Sequence, residues 1–345
     1  TEFLYPEKVS LPGYRPPAHA PQAALQQAAE MIAQAERPVI LAGHGVQISG
    51  AAEDVRRFAE KTEAPVASTL LGLGSLPASH PLNLGMMGMH GEAWVNTAIQ
   101  EADLLLAFGM RFDDRVTGRL SEYAQHADVI HVEIDPSEID KNVACSVAIN
   151  ADVYRTLHVL LGDPMLTFKP RRRWFEKIDG FRQVMAEELR REIDGGVGDN
   201  GRLLMKSIIH QLSELTEGKD LIVPDVGMHQ MMAARFYNYQ TTNSWFASGG
   251  AGTMGASLPM AIGVKLNLHV NVDLIPKRAP AWVTPFLYKL KHVVVGLVGL
   301  ALGAAALLLY LAGTLPRDAQ IAERQAQLAA LRRKAAAPSA TLPVQ

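Results

Sequence analysis

The feature that most limits what this chain can fold into is a series of short apolar runs set between segments of helical periodicity. Val39-Ile40-Leu41-Ala42 carries no polar residue, and Leu104 to Phe108 and Val129 to Ile134 are apolar runs long enough to cross a sheet. A strand with one wet face alternates apolar with polar, so continuous runs of this kind imply burial on both faces. Leu25, Ala28, Ala29, Ile32 and Ala35 recur at helical spacing before the first run. A second helix sets Val55, Phe58 and Ala59 on one side, and Pro65-Val66-Ala67-Ser68 resumes the sheet. Strands alternating with helices specify an α/β fold with a doubly wound parallel sheet, whose ligand crevice lies at the carboxyl ends of the strands.

The residues just past these strands are of the type that faces a ligand. Gly43-His44-Gly45 taken alone reads more simply as a tight turn. Taken with Thr69-Leu70, Gly88-Met89-His90-Gly91, Gly109-Met110-Arg111 and Glu133-Ile134-Asp135, it points several strand ends at one crevice, where backbone N–H groups meet phosphate. The stretch from Arg111 to Gly118 packs Arg111, Asp113, Asp114 and Arg115 closely. It reads either as a self-paired surface loop, worth little energetically, or as a guanidinium fork offered to an anion.

With 345 residues there is room for about two domains. A net charge of −2 and a 20% charged fraction carry no excess of Lys and Arg for a phosphate backbone, which excludes nucleic acid as a partner. The one cysteine, Cys145, excludes an internal disulfide framework and reads as a small core residue. The opening TEFLYPEKVSLPGYRPP lacks the basic start and apolar stretch of a signal peptide and reads as a linker. Lys169, Arg171, Arg172 and Arg173 precede a polar helix; they suit a phosphate or, as the blander reading, a solvated linker face. A glycine-rich connection follows, from Asp194 to Asp199, then a helix over Leu203 to Leu215 and a strand at Leu221-Ile222-Val223. From Val293 to Leu315 no residue is charged, which reads as a transmembrane helix. Lys277, Arg278, Lys289 and Lys291 before that run lean the globular part toward the cytoplasmic side.

Five motifs then resemble one family in order and spacing: LGMMGMHG (84–91), GMRFDDRVTG (109–118), HVEIDPSEIDKN (131–142), DVGMHQMMAARF (225–236) and SGGAGTMGASLPMAIGVK (248–265). The chain is similar through about residue 266 to the catalytic large subunit of acetolactate synthase, or acetohydroxyacid synthase. This resemblance implies thiamine diphosphate, Mg²⁺ and FAD as cofactors, and condensation of pyruvate with a second 2-oxoacid toward branched-chain amino acids. It implies a cytoplasmic homo-oligomer served by a regulatory subunit. FAD contacts would fall on Gly43, Gly45, Thr69, Leu70, Met89, His90, Gly109, Arg111, Asp113, Arg115, Val116, Glu133, Ile134 and Asp152. His44 stands where relatives carry a small residue. Arg115 would read the second oxoacid's carboxylate, with Met89 as an apolar wall of the same pocket. Val226, Gly227, Met228, His229, Gly252 and Met254 would surround thiamine diphosphate, Met228 replacing a glutamine of the family.

The implied organisation is a linker (1–20), a central FAD-type domain (21–165), a connector (166–201) and a partial thiamine diphosphate domain (202–266). A basic linker (267–292), the apolar run (293–315) and a helical then disordered tail (316–345) complete it. The glutamate that promotes the cofactor's imino form belongs to the family's N-terminal domain, and the Mg²⁺ ligands to a segment not read in this sequence, so these residues are expected to assign no catalytic or metal-ligating side chain and to be inactive alone. The competing readings are a membrane-anchored nucleotide-binding scaffold and another thiamine carboligase, such as glyoxylate carboligase.

Overall fold

The computed structural model describes residues 17, 19–198 and 201–270. The expected transmembrane run between Val293 and Leu315, with the basic segment before it from residue 271 and the tail after it, lies outside the described residues. Among the described residues no helix is long and apolar enough to cross a membrane.

The first part of the chain runs α1 (Gln22–Gln34), β1 (Pro38–Ala42), α2 (His44–Ile48), α3 (Ala52–Thr62), β2 (Val66–Ser68), β3 (Asn83–Met86), α4 (Ala93–Glu101), β4 (Leu104–Phe108), α5 (Asp114–Thr117), β5 (Asp128–Glu133), β6 (Val147–Asn150) and α6 (Val153–Gly162). All six strands pair in parallel in the order β3-β2-β1-β4-β5-β6. The connection reverses direction between β1 and β4, the switch point at which such sheets open a crevice. Alternation along β4 explains the continuous apolar run. Leu104, Leu106 and Phe108 enter a layer shared with α1, α3 and α6, while Leu105 and Ala107 enter a second layer shared with α4. Each fully buried leucine contributes about 2 kcal/mol by transfer from water. Phe58 meets Phe108 edge to face, with ring centres 5.6 Å apart.

The chain continues with α7 (Arg172–Gly195), α8 (Met205–Leu215), α9 (Met228–Phe236) and α10 (Ser257–Val270). Trp174 and Ile178 of α7 close the second apolar layer, and the helix ends where Gly196 takes a left-handed φ of 64°. Two expectations shift in the second unit. Leu203 forms an isolated bridge with Val197, and α8 starts at Met205 rather than at Leu203. At Leu221-Ile222-Val223 a single parallel bridge, Ile222 to Trp245, replaces the expected strand. A ladder of one rung does not fix neighbouring residues in extended geometry, and the described residues supply Ile222 with no second neighbour. Further along, α10 runs through Leu266 to Val270, past the point where the linker was expected to begin.

The solvated-face reading of the Lys169–Arg173 cluster holds for Arg172 and Arg173 but not for Arg171 and Lys169. Arg171 is 4% exposed. Its guanidinium donates to Thr62 O, to Ala35 O at 3.1 Å and to Ile32 O at 3.3 Å. Lys169 Nζ reaches Ala35 O at 3.1 Å and Gln34 O at 3.2 Å, and pairs with Glu36 at 2.7 Å. The last carbonyls of α1 and α3 have no partners within their own helices. These two cations supply them, so the linker is stitched to the sheet layer instead of being solvated or open to phosphate. Arg172 and Arg173 instead start α7 and are exposed.

Candidate functional site

Because the sheet is parallel, every strand delivers its following residues to the same edge. Gly43 and Gly45 follow β1, Thr69 and Leu70 follow β2, and Met89 and His90 follow β3. Gly109, Arg111, Asp113, Arg115 and Val116 follow β4, Glu133 and Ile134 close β5, and Asp152 follows β6. All fourteen positions named for FAD therefore gather along one rim, across six strand ends.

At the switch point the glycines serve close packing. A Cβ on Gly43 would lie 2.1 Å from Gly109 O, and one on Gly45 would lie 2.6 Å from Gly109 Cα. Gly43 N–H donates to Phe108 O at 3.0 Å and Gly45 N–H to Gly109 O at 2.9 Å. Both N–H groups are thus engaged by the β4 loop, so these glycines let two loops touch rather than offering their own donors to an anion. His44 is exposed at the start of α2, and its partial burial lowers its pKa. Thr69 accepts from Gly72 N–H at 3.1 Å and so shapes the turn after β2.

In the Arg111–Gly118 loop both Arg–Asp pairs are present but loose. Asp113 caps α5, accepting from Arg115 N–H at 3.1 Å. Arg111 touches Asp113 once, at 3.3 Å, and Arg115 comes no nearer than 4.0 Å to Asp114. Self-pairing is therefore slight, and both guanidinium groups keep open faces. Arg115 is held instead against the loop after β3: its carbonyl accepts from Met89 N–H at 2.8 Å, and its Nη1 lies 3.7 Å from Met89 Sδ. Gly88 permits this approach, since at φ +94° a Cβ there would meet Arg115 O at 2.5 Å. The Asn96 side chain clamps the same loop, donating to Gly88 O and accepting from Gly88 N–H, each at 2.9 Å. The two residues named for the oxoacid pocket are thus in contact.

Glu133 is nearly buried at the end of β5, and burial raises its pKa. One oxygen accepts from Ile134 N–H at 2.8 Å and from Asp135 N–H at 3.1 Å, which leaves Oε2 without a partner among the described residues. Asp152 caps α6 through Arg155 N–H at 3.0 Å. Cys145 is half-buried, and burial pushes its thiol up to about 11, in keeping with a packing role.

A second cluster forms where α9 and α10 begin. Val226, Gly227, Met228 and His229 lie at the start of α9, and Gly252 and Met254 in the turn before α10. Asp225, which sequence reasoning missed, joins the two stretches. Its carboxylate accepts from Val226 N–H at 2.7 Å, from Gly255 N–H at 2.9 Å and from the Ser257 hydroxyl at 3.0 Å. These donors, with His229 nearby, hold its pKa below the ordinary carboxylate value. The available signal was its place as the first polar residue after an apolar run, at the head of the DVG motif. Gly227 leaves room for the exposed His229 ring, since a Cβ there would lie 3.0 Å from the imidazole. Met228 and Met254 are exposed, at 70% and 79%, so they present thioethers to solvent. Leu71 of the β2 loop packs on Gly249, which brings this unit to the same rim as the first cluster.

Residues 25–160 match the thiamine pyrophosphate enzyme central domain, and residues 225–282 match the C-terminal TPP binding domain of the same enzymes. The chain belongs to the thiamine pyrophosphate enzymes. Within that family it is 42% identical over 268 residues to a probable acetolactate synthase large subunit of Methanocaldococcus jannaschii, covering 77% of this chain and 45% of that one. It is 40% identical over 266 residues to an acetolactate synthase of Mycobacterium bovis, covering 77% and 43%. It is 39% identical over 268 residues to the chloroplastic acetolactate synthase 1 of Zea mays, covering 76% and 41%. The chain spans less than half the length of these relatives.

Proposed function

We propose that these residues form the central domain and part of the thiamine diphosphate domain of an acetolactate synthase catalytic subunit, an enzyme that condenses pyruvate with a second 2-oxoacid. The observation that carries this reading is the Arg115–Met89 contact at the sheet rim, set within a chain about 40% identical to acetolactate synthases. In this reading Arg115 binds the second oxoacid's carboxylate through its open guanidinium face, and Met89 orients the rest of that substrate by apolar contact. The relatives carry the name acetolactate synthase, which favours this activity over glyoxylate carboligase. The name large subunit, borne by one of them, supports a smaller regulatory partner.

FAD fits the rim by its chemistry. A dinucleotide presents hydroxyls and phosphates, and the rim offers the free Glu133 Oε2 for a ribose hydroxyl and the open faces of Arg111 and Arg115 for anionic oxygens. Thiamine diphosphate fits the second cluster, where Asp225 pre-shapes the loops around Gly227 and Gly252. When bound, that cofactor supplies the electron sink for decarboxylation. His229 would meet its diphosphate, and Met254 would support its rings.

The test is to purify these 345 residues, record flavin absorbance, and assay acetolactate from pyruvate. Retained flavin is expected, with acetolactate formed only after the remaining catalytic-subunit sequence is supplied. Protein that binds no flavin and contributes nothing to such a reconstituted assay would refute the reading.

A further inference from the structure

Glu92 stands between the two clusters and was singled out in neither. It directly follows the loop of Gly88 to Gly91, donates its N–H to Met86 O at 2.8 Å, and stands at the N-cap of α4. Its side chain is almost buried. Both of its oxygens accept from Arg235, one from Nε and one from Nη2, each at 2.8 Å. Arg235 lies in the last turn of α9, the helix whose first turn carries Met228 and His229, and its guanidinium sits 5.1 Å from the centre of the Phe236 ring.

Ala233 and Ala234 of α9 pack in one apolar cluster with Met86, Leu73, Tyr237, Tyr239 and Trp245, which holds the helix near the end of β3. A two-point fork on a carboxylate adds direction to that contact, because both hydrogen bonds fix distance and rotation together. The pair also lines a cavity of about 480 Å³ shared with Arg182, His80 and His210, and among the described residues Arg235 is the cation that pairs with Glu92.

We propose that Glu92 and Arg235 are positioning residues: their pair sets α9, and with it Gly227 to His229, against the loop that carries Met89 and touches Arg115. This rests on reading those two groups as the diphosphate side and the oxoacid side of one site. Neither residue of the pair touches substrate; each acts by holding an element that does.

The test is hydrogen exchange on the full chain for the parent, Glu92→Gln, Arg235→Gln, the double variant and Arg235→Lys. Each single glutamine variant should speed exchange of the α9 amides about 10- to 100-fold while amides of β1, β4 and β5 stay unchanged. The double variant should exchange more slowly than either single one, because no charge is left buried and alone. Arg235→Lys keeps the charge but not the fork and should fall between. Unchanged α9 exchange, or an equal rise across all strands, would overturn the proposal. If the single variants fail to fold, the double variant and Arg235→Lys carry the same comparison. In protein completed with the remaining catalytic sequence, titration with thiamine diphosphate and Mg²⁺, followed by tryptophan fluorescence, should show about tenfold weaker binding in Glu92→Gln with flavin retention unchanged. Unaltered binding would reduce the pair to a structural tie. Parent protein that binds neither cofactor would sink the functional reading, while the exchange pattern still judges the pair.

Discussion

Replacing Arg171 with alanine tests how the connector is fastened. Its guanidinium bridges the ends of α1 and α3, donating to Ile32 O, Ala35 O and Thr62 O, and also to Lys169 O at 3.2 Å. Truncation strands these carbonyls beneath a residue that is 4% exposed. Hydrogen bonds from a charged donor contribute about 1.5–3 kcal/mol each. Water entering the adjoining cavity, lined by Ile32, Thr62, Leu166 and Phe168, restores part of that loss. A net destabilisation of about 3 kcal/mol follows, or about 6–12 °C in Tm for a domain of this size. Urea unfolding reported by Trp174 measures it, since that indole donates to Pro38 O at 3.1 Å three positions along the chain. Arg171→Lys should lose less, keeping a charge in reach of the carbonyls. A loss below about 0.5 kcal/mol, the range of ordinary surface substitutions, would show that the connector is not fastened this way.

Further outcomes follow from the same geometry. Gly43→Ala should abolish flavin retention and cost more than about 2 kcal/mol, because the added methyl meets backbone at 2.1 Å; absorbance of the purified variant and its Tm report both. Glu133→Gln should weaken FAD binding and stabilise the flavin-free protein at neutral pH. Burial raises the carboxyl's pKa, so its penalty is fully present above the folded value and vanishes as pH falls to its ordinary value of 4.5. The stability gap between Glu133→Gln and parent should therefore shrink on acidification, and a gap independent of pH would discount burial as the cause. In enzyme completed with the remaining catalytic sequence, Arg115→Ala should raise KM for the second oxoacid far more than it lowers flavin content. Asp225→Asn should leave the sheet intact while speeding exchange at Gly255 and Ser257.

The central sheet was legible because its strands are buried on both faces. Continuous runs such as Leu104 to Phe108 leave no competing pattern, and the helical positions Val55, Phe58 and Ala59 do face the core. The rim was legible for a related reason: a parallel sheet puts every strand's sequel on one edge, so Gly43, Thr69, Met89, Gly109 and Glu133 had to converge. What the text concealed was long-range pairing. Arg171 looks like one of several basic linker residues until α1 and α3 bring their carbonyls to it, 136 and 109 positions away. Glu92 and Arg235 lie 143 positions apart, and neither carries a local signal of its partner. Leu221 to Val223 has strand character, yet a ladder needs neighbours that local propensity does not create.

The most direct measurement is the flavin content of the folded protein. Purified with FAD present and then dialysed, it should hold about one flavin per chain, released together with the loss of the Glu133 carboxylate in Glu133→Gln, if the rim is a dinucleotide site. Folded protein that takes up no flavin at any concentration tried, with its sheet amides still protected, would contradict that account.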